Sequence, residues 1–267
     1  MNAPENICLP DVQSSLDERK IVIQKVGVKS IRHPVTLKTI SSTQGSVAMI
    51  DMTVMLPAHL KGTHMSRFLE VLQSNHEPIS FDSMHDLLKN MLLRLDADEG
   101  HIDMRMPLFI NKVAPISKVE SLLDYDVTIK ASSEKGVVRY ILEVQVPVTS
   151  LCPCSKKISE YGAHNQRSHI IISAELTKDL AVEDLIRIAE QAASCELWGL
   201  LKRPDEKYVT ERAYDNPKFV EDLVRDIAVA LHQEKNIIAY EVSSENFESI
   251  HNHSAYAWLA IDKRLTQ

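Results

Sequence analysis

Cysteine is scarce in this chain, with four in 267 residues. Cys8 lies in a polar stretch, Cys195 in a helix-like stretch, and Cys152 and Cys154 stand two apart. That distribution excludes a disulfide framework and suits a reducing compartment. No run of eighteen apolar residues occurs, so no membrane-spanning helix is expected. The opening residues carry neither a basic start nor an apolar core segment. This argues against a secretory leader and makes the cytoplasm the expected location. Positive charge is short as well: 30 Lys and Arg against 37 Asp and Glu, a net charge of −7. The basic residues are scattered and not interleaved with aromatics, so nucleic acid is not an expected partner. An anionic substrate would need a local basic cluster. There is no G-x-x-x-x-G-K-[ST] and no G-x-G-x-x-G, which excludes phosphate recognition of the P-loop or Rossmann kind.

What is present is ordinary globular material, 44% apolar and 25% charged. Residues 1–18 are polar and read as a flexible tail. After them one order of elements runs twice. In the first pass, residues 19–132, a strand-like stretch near Ile21–Ile31 is followed by one with Ala48, Ile50, Met52, Val54 and Leu56 on one face. A short helix is predicted from about Met65, with Thr63 as its cap. A longer helix carries Met84, Leu87, Leu88, Met91, Leu92 and Leu95. Two strands follow, over Ile102–Ile110 and Tyr125–Ala131.

The second pass, residues 133–267, opens after an expected turn at 132–136. Strands are read through Leu142–Val148 and Ile170–Leu176. Helices follow, one along Val182–Ala192 and one expected to start at Asn216-Pro217. Strands at Ile237–Val242 and Ala255–Ile261 close it. Each half therefore reads strand, strand, helix, helix, strand, strand. This is an α+β class with antiparallel sheets and helices on one face. Such a sheet leaves open edges, and pairing between copies is one way to cover them.

The chemistry concentrates at Cys152-Pro-Cys154, with His164 twelve residues after the first thiol. Thiolate and imidazole hold zinc and its neighbours. The spacing misses the C-x₂-C pattern, so a zinc finger is not expected. Taken singly, Glu206 reads as a solvated loop charge, His251 as a surface histidine, His164 as a loop residue and Glu221 as a solvated helix charge. Cys154 is either a second thiol facing the same side along an extended backbone or a dispensable ligand.

The segment Leu151–His169 resembles the signature of the type IB GTP cyclohydrolases I. Segments 61–68, 203–211, 216–222 and 245–255 match further motifs of that family, in the same order. The resemblance implies the tunnelling fold, with two ββααββ modules in one chain and a barrel closed by oligomerisation, a tetramer being favoured. It implies conversion of GTP and water to formate and 7,8-dihydroneopterin triphosphate, the first step of folate-type pterin synthesis. It places metal ligands at Cys152, His164, Glu206 and His251. The implied cofactor is a divalent transition metal (Zn, Mn or Fe), with no organic cofactor. It makes Cys154 catalytic and Glu221 the guanine anchor. Glu248 becomes a proton-transfer residue or a support for a ligand histidine. His64 and Arg67, near a helix start, become candidate substrate contacts. Two other readings stay open: a tunnelling-fold nitrile reductase of queuosine synthesis, and a non-catalytic metal-binding protein.

Overall fold

The computed structural model describes residues 11–265. Cys8 and the first ten residues of the expected tail lie outside the described residues. Residues 11–18 run beside 59–62: Asp17 N–H donates to His59 O at 3.0 Å and Lys61 N–H to Ser15 O at 3.0 Å.

Eight antiparallel strands form one sheet in chain order. They are β1 (Ile23–Lys38), β2 (Thr43–Leu56), β3 (Gly100–Val113), β4 (Glu120–Glu134), β5 (Val137–Leu151), β6 (Asn165–Leu176), β7 (Ile237–Asn246) and β8 (Ala255–Asp262). Period-two alternation explains the layering. In register, Ile31, Ile50, Met104, Ile129, Leu142, Ala174, Tyr240 and Ile261 form one apolar row across the whole sheet. Its members from Ile50 to Tyr240 are buried. Residues one step along face the other way and are mostly polar. There Arg105 meets Asp51 at 2.8 Å, and Lys130 meets Glu143 at 2.8 Å.

The helices cover the apolar face. In the first half these are α1 (Met65–Ser74) and α2 (Phe81–Leu95). In the second half they are α4 (Val182–Ala192) and α6 (Val220–Gln233), while α3 (Pro153–Ile158) and α5 (Arg203–Asp215) put no residue into the core under the sheet. Met84, Leu87, Leu88, Met91 and Leu95 of α2 are buried, the stripe that the spacing predicts. In α4, Ile186 is buried beside Val182, Leu185, Ala189 and Ala192.

The structure differs from the sequence expectation in several places. The turn between halves is only Lys135-Gly136, both at positive φ (50° and 78°), because β4 carries on to Glu134. Positive φ at both turn residues is the geometry of a two-residue hairpin with the twist of its strands. His64, not Thr63, holds the cap position of α1. Asn216 ends α5 instead of starting α6, its side-chain amide donating to Ala193 O at 2.8 Å. At the start of α6 the Asp222 carboxylate accepts from Phe219 N–H at 3.1 Å. Two helices were not expected. The α3 helix spans only 6 residues, too short to show a period. Only Asp205 and Ala213 of α5 are buried, so it shows no apolar stripe.

In the single chain the sheet is open, with β1 and β8 as its edges. The register of β1 slips between Val28 and Ile31, and Ser30 sits there at φ 59°, its N–H donating to Asp51 at 2.7 Å. Such a bulge distorts an edge and limits indiscriminate strand pairing.

Candidate active site

Cys152 caps α3 directly after β5, and His164 precedes the first residue of β6. The Cys152 N–H donates to His164 O at 3.2 Å, so the two candidate ligands are held at one end of the β5–β6 pair. Cys154 does not follow Cys152 along an extended strand. Pro153 starts a helical turn there, and Cys154 is exposed on α3. The expectation that both thiols face one way by strand alternation fails for that reason.

The loop after β7 closes on the same place. Phe247 N–H donates to Arg167 O at 3.0 Å, and the Phe247 ring meets the His169 ring edge-on at 4.9 Å. The next residue, Glu248, is largely buried, with Oε2 3.9 Å from His164 Nδ1. Gln166, buried on β6, reaches both groups: its Oε1 lies 3.0 Å from His164 Nδ1, and its Nε2 3.3 Å from Glu248 Oε1. Ser249 Oγ also lies 3.3 Å from His164 Nδ1. Sequence reasoning did not single out Gln166 or Ser249; the alternation of β6 marks Gln166 as inward-facing but not as a partner of His164. His251 is exposed in this loop and stacks on His253 at 5.1 Å.

Two contacts bring the later helices to this strand end. Lys218 N–H donates to Leu151 O at 3.1 Å, and Lys156 Nζ donates to Tyr214 O at 2.5 Å. Glu221 follows Lys218 by three residues and is exposed in the first turn of α6, because that helix starts at Val220 and not at the expected Asn216-Pro217. Glu206 lies in the first turn of α5, at the opposite end from Tyr214. At 1.5 Å per residue that separation is roughly 12 Å along the axis.

The start of α5 is pinned by its neighbour. Asp205 is fully buried, and its carboxylate accepts from Ile116 N–H (2.8 Å), Ser117 N–H (2.8 Å), Ser117 Oγ (2.5 Å) and Lys202 N–H (2.9 Å). Burial pushes this carboxyl up, but the hydrogen bonds from Ser117, Lys202 and Ile116 outweigh it and hold the group well below the usual carboxylate range.

His64 and Arg67 lie elsewhere, in the first half. His64 Nε2 is 3.3 Å from Asp11 Oδ2 without a directed hydrogen bond, and Arg67 Nη1 is 3.4 Å from Arg94 O. A cavity of about 720 Å³ lined by His33, Gln73, His76 and Met104 includes none of the expected site residues.

Within one chain, among the described residues, no three His, Cys, Asp or Glu side chains stand close enough to hold a metal ion. The donors nevertheless suit one. Cys152 is a free thiol, and the Glu206 and Glu221 carboxylates make no hydrogen bond or ion pair among the described residues. One thiolate, two imidazoles and a carboxylate are ligands for Zn, Fe or Mn more than for Mg.

The model of the type I GTP cyclohydrolase folE2 family matches residues 9–257. The chain belongs to that family. It is 60% identical over 256 residues to GTP cyclohydrolase FolE2 2 of Cupriavidus metallidurans, covering 96% of each chain. It is likewise 60% identical over 257 residues to GTP cyclohydrolase FolE2 of Burkholderia ambifaria, again covering 96% of each. Among solved structures it resembles the uricase of Arthrobacter globiformis, with a TM-score of 0.54 at 8% identity, covering 93% of this chain and 97% of that one. The urate oxidase of Bacillus subtilis aligns with a TM-score of 0.52 at 10% identity, covering 90% and 99%. At such identities the likeness shows the fold alone, which is the tunnelling fold. GTP cyclohydrolases are metal-dependent in general. No helix among the described residues is long and apolar enough to cross a membrane.

Proposed function

We propose that this chain is a GTP cyclohydrolase I that hydrolyses GTP at purine C8, giving formate and 7,8-dihydroneopterin triphosphate. The observation that carries the reading is the 60% identity to FolE2 enzymes over nearly the whole chain. The Cys152–His164 pair at the β5–β6 end supports it, with the Glu248 loop folded onto that pair.

In this reading Cys152, His164, Glu206 and His251 hold a divalent transition metal. When bound, such a metal lowers the pKa of water and polarises the carbon under attack. The protein's own groups do the rest. Glu221 accepts from the N1–H and 2-amino group of guanine, two parallel charge-assisted bonds that adenine cannot supply. Its position in the first turn of α6 leaves the carboxylate exposed and, among the described residues, without a partner, so that it can meet a ligand. Glu248 takes or returns a proton beside His164. Cys154, exposed on α3 two residues after Cys152, faces the reacting purine. His64 and Arg67 contact the triphosphate of GTP bound to a neighbouring copy, since the fold sets them apart from the other residues within one chain.

The open sheet supports assembly. Edges β1 and β8 pair with other copies to close a barrel, a homo-oligomer with a tetramer favoured, and residues from two copies complete each site. The place of work is the cytoplasm, and the product enters folate-type pterin synthesis.

The test is product identity. Purified, metal-loaded protein given GTP should yield a pterin that fluoresces after oxidation, with no dependence on NADPH. NADPH oxidation with a nitrile substrate, and no pterin from GTP, would instead support a nitrile reductase.

A further inference from the structure

His164 is useful as a ligand only if the nitrogen facing the metal carries a lone pair, and a neutral imidazole offers two tautomers. The hydrogen bonds around Gln166 decide between them. Glu248 Oε1, 3.3 Å away, belongs to a carboxylate, which accepts and does not donate. The Gln166 atom facing it must therefore be the NH₂. That orientation turns the amide oxygen towards His164 Nδ1, 3.0 Å away. An amide oxygen only accepts, so Nδ1 must carry hydrogen. In the neutral ring the lone pair is then on Nε2. Amide and ring assignments are fixed by such networks, and here one obligate acceptor fixes the whole chain of bonds.

We propose that Gln166 is a positioning residue that sets the tautomer of His164, committing Nε2 to the metal, and holds the Glu248 carboxylate beside it. The inference rests on the reading of His164 as a ligand and adds the group that prepares it. Gln166 is only 8% exposed and lies on a central strand, so the arrangement is built into the sheet. Partners of ligand histidines typically change metal affinity by about 10–100-fold when removed. Ser249 Oγ, at 3.3 Å from the same Nδ1, is the other group in reach. A hydroxyl can donate or accept, so it imposes no tautomer.

The experiment follows the ring nitrogens of ¹⁵N-histidine-labelled, metal-free protein by NMR, with His164→Ala to assign the signal. Zinc affinity is measured in parallel by competition with a chromophoric chelator. The wild type should show the Nδ1–H form, whereas a free imidazole favours Nε2–H. Gln166→Leu should move His164 towards Nε2–H and weaken zinc about 10–100-fold. Gln166→Glu keeps an acceptor for Nδ1–H but loses the donor to Glu248. It should retain the tautomer and the zinc, while kcat falls and KM for GTP holds. A residue that merely fills space would not separate metal affinity from turnover in this way.

An Nε2–H ring in the wild type overturns the inference. So does a Gln166→Leu protein that keeps both tautomer and affinity, or a Gln166→Glu protein that loses zinc as the Leu variant does. Ser249→Ala should leave Nδ1–H in place; a switch there assigns the role to Ser249 instead. If His164→Ala binds zinc as tightly as wild type, the ligand reading fails and this inference with it. If His164→Ala loses zinc and Gln166→Leu does not, only this inference fails.

Discussion

The backbone N–H of Cys152 donates to the carbonyl of His164 at 3.2 Å, extending the β5–β6 pairing one step beyond Leu151 and Asn165. The intervening segment, with its short α3 helix, is an excursion whose two ends the sheet holds together. The proposed thiolate and imidazole ligands therefore owe their closeness to strand pairing and not to a flexible loop.

This separates the two thiols experimentally. Cys152→Ala should lose both metal and turnover. Cys154→Ala, changed on the exposed face of α3, should keep most of its metal and lose turnover. Metal analysis and steady-state rates on the same preparations check it. Near wild-type turnover in Cys154→Ala would remove it from the chemistry.

Glu221→Gln should lower kcat/KM for GTP by about 30- to 1000-fold, the equivalent of roughly 2–4 kcal/mol for lost charge-assisted bonds in a desolvated pocket. Discrimination against ATP should shrink, because the group that rejects adenine has gone. Metal content and thermal midpoint should hold, since the side chain is exposed in the first turn of α6 and has no partner among the described residues. An unchanged kcat/KM would make Glu221 a solvated charge.

Much of the fold was legible in the sequence. Period-two alternation marked β2 to β6, and the stripes of α2, α4 and α6 marked those helices; β1 was read only as far as Ile31 and runs on to Lys38. The sequence missed elements whose placement depends on polar contacts. The α5 helix buries only Asp205 and Ala213, so no period announces it. Its register comes from a carboxylate bonded to a turn some ninety residues earlier in the chain. For the same reason Glu206 read as a loop charge until motif resemblance singled it out. Gln166 was invisible because its partners, His164 and Glu248, meet only when β6 and the loop after β7 come together.

Asp205 gives a prediction of its own. Asp205→Asn keeps one oxygen for the Ile116 and Ser117 N–H groups but sets an NH₂ donor against the Ser117 hydroxyl and the Lys202 N–H, and should loosen the start of α5. Hydrogen exchange should quicken in α5 while the central strands keep their protection. Metal affinity should fall by about 10-fold if Glu206 is thereby displaced. Ser117→Ala, which removes only the hydroxyl donor, should show a smaller change in the same direction. The pH dependence has a definite sign. The folded carboxyl sits below its unfolded value, so its contribution is present above about pH 4 and is lost as pH falls towards the folded value. Equal protection of α5 in the Asn variant and wild type would contradict this.

Lys112 offers a stability test outside the proposed site. Its ammonium is buried between Glu190, at 2.6 Å, and Glu196, and Tyr125 OH also donates to Glu190, at 2.7 Å. Burial raises the Glu190 carboxyl above its usual range, and Lys112 partly offsets it. Lys112→Met leaves uncompensated charge and should cost about 3–5 kcal/mol at neutral pH. Because the folded carboxyl then binds a proton more readily than the unfolded one, the variant should regain stability as pH falls from 7 towards 5. Thermal midpoints across that range decide it. A loss that stays constant with pH would show that packing, not charge, is what Lys112 supplies.

The central claim is hydrolysis at C8 by residues that need a metal, and GTP labelled with ¹³C at C8 tests it most directly. With metal-loaded protein the label should appear in formate, one for each pterin formed. Chelation should stop both together, and adding back zinc, manganese or iron should restore both. Label that stays in the purine with metal-loaded protein, or formate released at full rate by rigorously metal-free protein, would contradict the account.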